Sequence, residues 1–287
     1  SIPPSLQAAP EDPDLFMKPI LRLTADRIRK EYLRLQNAAI DRGLIRGQRD
    51  YTRFVIVCRS RVGSNMLSSY LNSHANAVVK AEEFSFYRIK ESDGLASRDP
   101  AQHLAREVFC AYPASVKAVG FKLFYTHGRR VDPGQPTVWE LLRNDPELKV
   151  IHLVRNNILR SHLSEAIAFK TEKWTQSGRI NSIPSDSKTV TLDADKCRKA
   201  FEKTEQGREE ADQCFAAHER LDICYEDLAS KPQATLRRVL PFLNLPPRRL
   251  GSYHSKQNPE PLSHLIENYA ELEKQFSGTP WQRFFED

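Results

Sequence analysis

The stretch RFVIVCRSRVGSNML, residues 53–67, decides how the rest of the chain is read. FVIVC is continuously apolar and β-branched, the pattern of a strand buried on both faces. Basic and small residues follow at once, and apolar residues at helical spacing begin at Ser64. A tight strand-to-helix turn of this kind presents unpaired N–H groups and a partial positive charge, which suits an anion. Gly63 lets the backbone come close to such a ligand, Ser64 and Asn65 add side-chain donors, and Arg61 or Arg59 adds a full charge. The turn lacks the GxxxxGK[ST] pattern, having no glycine four positions upstream and no Lys-Thr pair, so it is not an ordinary ATPase loop.

Outward from this stretch, apolar strands alternate with helices. Strands are expected at 53–58, 77–82, 116–125, 149–155 and 221–226. Helices are expected at 24–40, 64–72, 100–110, 137–143, 157–170, 194–218, 231–243 and 262–275. The pattern predicts an α/β fold with a central parallel sheet covered on both faces. The first 20 residues carry five prolines and read as an extended arm, and 177–189 reads as a long polar loop. The organisation expected is an N-terminal arm and helix over 1–50 and one domain over 51–287.

The second segment that carries chemistry is KVIHLVRNNILRSHLSEA, 149–166. It repeats the logic of the first: an apolar strand, Arg155 at its carboxyl end, asparagines, then a helix. Arg160 and Ser164 stand four apart on one face of that helix, with Ser161 one position off. A strand-end arginine and a helix serine suit a second phosphate.

Net charge is +6 over 287 residues. The basic residues form no block of five or six, so a solvated surface explains the charge better than a polyanion-binding tail. A nucleic-acid module needs a basic stripe interleaved with aromatics, which the chain lacks; no nucleic-acid partner is expected. No apolar run reaches the length of a bilayer span. The five cysteines form no CxxC pair, which favours a reducing, cytoplasmic setting. No histidine shows HExxH or other ligand spacing, so no metal is expected.

RVGSNML resembles the 5′-phosphosulfate loop of sulfotransferases, and VRNNILRSHLS resembles their 3′-phosphate motif. The similarity is greatest to the bacterial carbohydrate and lipid sulfotransferases of the nodulation-factor and trehalose types. It extends to LNSHANAVVKAEEF, VGFKLFY, YEDLASKP and KQNPEPLSHLIENYAEL. It implies a P-loop-NTPase-like three-layer sandwich. It also implies 3′-phosphoadenosine 5′-phosphosulfate (PAPS) as donor and a hydroxyl acceptor, a carbohydrate or glycolipid. Carried onto this chain, Arg61, Val62, Gly63, Ser64 and Asn65 would hold the 5′-phosphosulfate. Arg155 and Ser164 would hold the 3′-phosphate, and Lys256 and Gln257 would begin a segment folding over it. Asn65 departs from the threonine or serine usual there, and Ser164 lies nine positions after Arg155 where many members have eight.

The same resemblance implies a glutamate base in KAEEF and a lysine, Lys122, at the end of VGFK. Glu83, followed directly by an aromatic, fits the trehalose-type pattern better, and spacing alone admits Glu82. His127 is a third candidate. Trp174 is a candidate for stacking on adenine or lining the acceptor pocket; Trp139 and Trp281 read as packing residues, and Tyr225 as a strand-end anchor. Two other readings stay open: a P-loop nucleotide-dependent kinase, and a noncatalytic nucleotide- or polyanion-binding protein. The arm and helix 1–42 could pack on a partner subunit, touch a membrane peripherally, or cover the sheet.

Overall fold

The structure is a computed structural model describing residues 13–86, 89, 95–174, 187–254 and 256–286. Helix α1 (Pro13–Asp41) precedes β1 (Thr52–Cys58), α2 (Ser64–Asn72) and β2 (Ala77–Lys80). Then come α3 (Leu95–Arg98), α4 (Pro100–His103), β3 (Ala118–Phe124), α5 (Val138–Arg143), β4 (Lys149–Val154) and α6 (Ile158–Thr171). The last part comprises α7 (Ala194–Cys214), β5 (Arg220–Cys224), α8 (Tyr225–Ser230), α9 (Pro232–Phe242), α10 (Leu262–Leu265), α11 (Tyr269–Phe276) and a 3-10 turn, Gln282–Phe285.

The five strands form one sheet of order β2-β3-β1-β4-β5, and every pairing is parallel. β1 lies at the centre, which explains its continuous apolar run. Its alternate residues serve opposite faces. Phe54, Ile56 and Cys58 pack with Leu67, Leu71, Leu236 and Val239 on one side. Val55 and Val57 pack with Phe121, Leu123, Trp139 and Phe215 on the other. Residues 54–58 of β1 are fully buried, each large side chain contributing about 1.5–3 kcal/mol. The fold is therefore the expected α/β sandwich with a parallel central sheet flanked by helices.

The order also fixes where a ligand belongs. From β1 the chain crosses to β2 and β3 on one side, and from β4 it crosses to β5 on the other. β1 and β4 are neighbours, with Cys58 opposite Leu153. Their carboxyl ends thus open on the topological switch point, the crevice where open α/β sheets bind ligands. The two arginine-bearing turns leave from those two ends.

Several expected boundaries are corrected. Residues 13–20 are helical rather than part of an extended arm, because Pro13 stands at the helix start, where a missing N–H is harmless. The strand expected to reach 226 ends at Cys224, and Tyr225 opens α8. The segment 262–275 is two helices, because Ile266 pairs with Val190 and Glu267 N–H donates to Val190 O (3.0 Å). Helix 100–110 gives way after His103 to a π-helical turn, Leu104–Val108, and helix 194–218 stops at Cys214. Most of the loop 177–189 lies outside the described residues.

Candidate active site

The turn after β1 is held by backbone conformation. Arg61 and Gly63 both have positive φ, 64° and 85°. Glycine adopts this without strain, and here it is also needed sterically, because a Cβ on Gly63 would sit 2.6 Å from Cδ2 of Tyr225. Gly63 caps α2 without a side-chain hydrogen bond, and the first turn of α2 carries no acidic residue. The helix N-terminus therefore keeps donors for an anion. Val62 is buried in the core beneath the turn, leaving only its main chain for a ligand.

The turn after β4 is tied to the first. Arg155 is buried, lies over the ring of Tyr225 at 4.4 Å, and donates to the carbonyl of Arg61 (3.3 Å). Arg208 of α7 donates to the carbonyl of Arg155 (2.5 Å), and Glu226 accepts the N–H of Asn156 (3.2 Å). Tyr225 is thus clasped between Gly63 and Arg155. The Nε of Arg155 is buried with no partner among the described residues.

Between these turns lies a cavity of about 800 Å³. Arg61, Gly63, Ser64, Asn65, Glu82, Arg155, Ser164, Lys256 and Gln257 of the expected site all line it, with Arg160 and Trp174. Its described walls carry Arg61, Arg155, Arg160 and Lys256 against one carboxylate, Glu82, so the concavity favours anions. Burial pushes the guanidinium pKa values of Arg59, Arg61 and Arg155 down from the ordinary arginine value. Arg59 is turned away to Glu165 (3.2 Å).

Arg61 crosses the cavity. Its Nε and Nη2 donate to Ser164 Oγ (3.1 and 2.9 Å), Nη1 to the carbonyl of Trp174 (2.6 Å), and Nη2 also to Oε1 of Gln257. Asn258 donates to the same serine (3.3 Å). Lys188, buried, fixes the C-terminal wall through the carbonyl of Gln257 (3.0 Å) and Glu260 (2.7 Å). Ser161 faces inward, 1% exposed.

The candidate bases separate. The N–H of Lys122 donates to the carbonyl of Ala81 (3.2 Å), which holds the chain after β2 against β3. Glu82 follows directly and lines the cavity, its Oε1 2.9 Å from Lys122 Nζ. Lys122 also donates to Oδ1 of Asn65. Glu83 points away: it is buried, 3.7 Å from His103, and does not line the cavity. His127 does not line it either, but stacks on Phe124 at 4.6 Å. Burial lowers its pKa to about 4.

Sequence reasoning passed over the apolar part of the wall: Met66, Tyr70, Phe124, Leu163 and Phe169. They come from three separate elements, α2, β3 and α6, so no local pattern announces them. Phe169 and Trp174 meet edge to face at 4.9 Å and remain exposed. Trp139 and Trp281 do pack, the first buried with Nε1 donating to the His127 carbonyl (2.9 Å), the second against Phe201 and Phe276. Among the described residues no three His, Cys, Asp or Glu side chains gather as metal ligands.

A model described as "Sulfotransferase family" matches residues 53–249. Nodulation protein H of Rhizobium tropici is 31% identical over 245 residues, covering 81% of this chain and 92% of that protein. Nodulation protein H of Rhizobium meliloti (strain 1021) is 27% identical over 239 residues, covering 81% and 94%. Among solved structures, a sulfotransferase from Alicyclobacillus acidocaldarius aligns with a TM-score of 0.47 and 16% identity, covering 81% of this chain and 93% of that one.

Proposed function

Because the chain belongs to the sulfotransferase family, we propose that it moves a sulfuryl group from PAPS to a hydroxyl of a carbohydrate or glycolipid. The observation that carries this reading is the convergence of two anion-seeking turns on one cavity. One is the Gly63-capped start of α2; the other holds Arg155, whose buried Nε lacks a partner among the described residues. A donor with phosphate at both 5′ and 3′ positions needs two such sites, whereas ATP needs none at the 3′ position. Residues 51–287 are proposed as the catalytic unit, with 1–50 an accessory arm and helix.

In this reading Ser64, Asn65 and the α2 N–H groups hold the 5′-phosphosulfate. Arg155, Ser164, Lys256 and Gln257 hold the 3′-phosphate. Glu82 takes the proton as the acceptor oxygen forms its bond to sulfur. The bond from sulfur to the bridging phosphate oxygen breaks in line, and 3′-phosphoadenosine 5′-phosphate leaves. Negative charge grows on that oxygen and on the sulfuryl oxygens. In this reading Lys122 and the α2 N-terminus meet it, and Arg61 joins them by exchanging its bonds to Ser164 and Gln257 for the donor. Lys122 holds Oε1 of Glu82 at 2.9 Å, which fixes the carboxylate at the cavity wall. Phe169 and Trp174 offer apolar faces suited to the C–H face of a sugar.

Thermal unfolding with 3′-phosphoadenosine 5′-phosphate, against ATP and AMP, tests the donor. At a hundredfold excess over Kd, the first should stabilise by about 2.7 kcal/mol. Selective stabilisation, lost in Arg155→Ala, supports the reading; equal stabilisation by ATP returns the protein to the kinase class.

A further inference from the structure

Of the ten large apolar side chains exposed among the described residues, seven fall between Ile20 and Ile45. Four of them, Leu21, Ile28, Tyr32 and Leu35, are 57–65% exposed and recur on α1 at intervals of seven, four and three. That spacing puts them on one side of the helix. The other side is occupied: Arg29 donates to the carbonyls of Asn72 (2.9 Å), Ala75 (3.1 Å) and Ala77 (2.6 Å), and Leu33 packs beside Val78 and Tyr112. Just beyond α1, Leu44 and Ile45 are 73% and 42% exposed.

Charge gathers in the same place. Residues 21–49 hold eight basic and three acidic side chains, a balance of +5 in a chain whose total is +6. Asp26 and Glu31 pair with Lys30 and Arg34, each at 2.7 Å. Arg27, Arg42 and Arg46 are exposed and make no ion pair among the described residues. Apolar side chains beside clustered cations are the two signals that together hold a protein on an anionic bilayer.

We infer that α1 and the following turn, through Leu21, Ile28, Tyr32, Leu35 and Leu44 with Arg27, Arg42 and Arg46, dock the protein on an anionic lipid surface. A second copy is the poorer occupant, since an isologous contact would set this +5 segment against itself. The surface adjoins the cavity. Tyr253 donates to Asp26 (3.1 Å) and Arg22 to the carbonyl of Ser252 (3.3 Å), while His254 and Lys256, next along the chain, line the cavity wall. Docking through α1 therefore sets the cavity near the bilayer, where a lipid-anchored acceptor would present its headgroup. The docking itself does not depend on the donor or the acceptor proposed above.

The test is sedimentation of the full chain with vesicles of phosphatidylcholine containing about 30 mol% phosphatidylglycerol, against phosphatidylcholine alone. Binding should require the anionic lipid and weaken with salt. Arg42→Gln/Arg46→Gln should weaken it about 25-fold, and Ile28→Ser/Leu35→Ser should abolish it. Unchanged thermal stability would show that both variants remain folded. Equal sedimentation with both vesicle types, or with neither, overturns the inference. So does a dimer by light scattering that Ile28→Ser/Leu35→Ser converts to monomer.

Discussion

The ammonium of Lys122 lies 2.9 Å from Oε1 of Glu82, while the adjacent Glu83 is buried 3.7 Å from His103. Two neighbouring carboxylates thus have different surroundings and should have different consequences when altered. Glu82→Gln keeps shape and hydrogen bonding but removes the proton acceptor. It should lower kcat for sulfuryl transfer by about 10²–10⁴-fold with little change in unfolding midpoint. Glu83→Gln should show the reverse pattern, a lowered midpoint with kcat largely retained. Steady-state kinetics and denaturant unfolding on both variants decide the matter; a larger kcat loss at Glu83 would reassign the base.

Gly63→Ala should be costly for two separable reasons. The left-handed backbone, φ 85°, costs a non-glycine residue roughly 1–2 kcal/mol. The new Cβ would also meet Tyr225 Cδ2 at 2.6 Å, and that ring also carries the Arg155 guanidinium 4.4 Å from its centroid. Overpacking of this kind adds about 1–3 kcal/mol. In a double-mutant cycle, Tyr225→Ala should recover the overpacking share and leave the backbone share. Full recovery in the double variant would show that φ carries no strain.

Stability should rise with pH across the range set by His127. Burial depresses its folded pKa to about 4 from 6.5, so between those values the unfolded chain binds the extra proton. Its contribution is fully present above 6.5 and is lost as pH falls towards 4. The full effect is up to about 3 kcal/mol. Burial shifts His74 and His162 the same way, so part of the slope belongs to them. His127→Gln should flatten the pH dependence of the unfolding free energy without removing it. An unchanged slope would place the linkage elsewhere.

What was legible in the sequence follows from which signals are local. FVIVC and KVIHLV announce central strands because burial on both faces demands continuous apolar residues, and both lie where expected. Arg61, Gly63 and Arg155 could be singled out because a basic exit from such a strand has few structural reasons to exist. The different settings of Glu82, at the cavity, and Glu83, buried beside His103, were not legible. They depend on the bond from Lys122 N–H to the Ala81 carbonyl, a contact across the sheet. The break within 262–275 is hidden for the same reason, since it is imposed by Val190, far away in the chain. The prolines misled: Pro13 reads as a breaker in isolation but begins a helix of 29 residues.

Lys122 itself yields the sharpest separation of binding from chemistry. Its Nζ reaches Glu82 and Asn65 but none of the residues assigned to the 3′-phosphate. Removing it withdraws a positive charge from the place where charge grows during transfer, and leaves the groups around Arg155 intact. Lys122→Ala should therefore lower kcat by about 10²–10³-fold, while the affinity for 3′-phosphoadenosine 5′-phosphate stays close to that of the unaltered protein. Arg155→Ala should do the opposite, weakening nucleotide binding first. Calorimetric titration of the nucleotide and single-turnover transfer, measured on both variants, give the four quantities needed. If Lys122→Ala lost nucleotide affinity as steeply as Arg155→Ala, the lysine would be a binding residue for the donor, and the charge met in the transition state would have to be assigned to Arg61 and the α2 N-terminus alone.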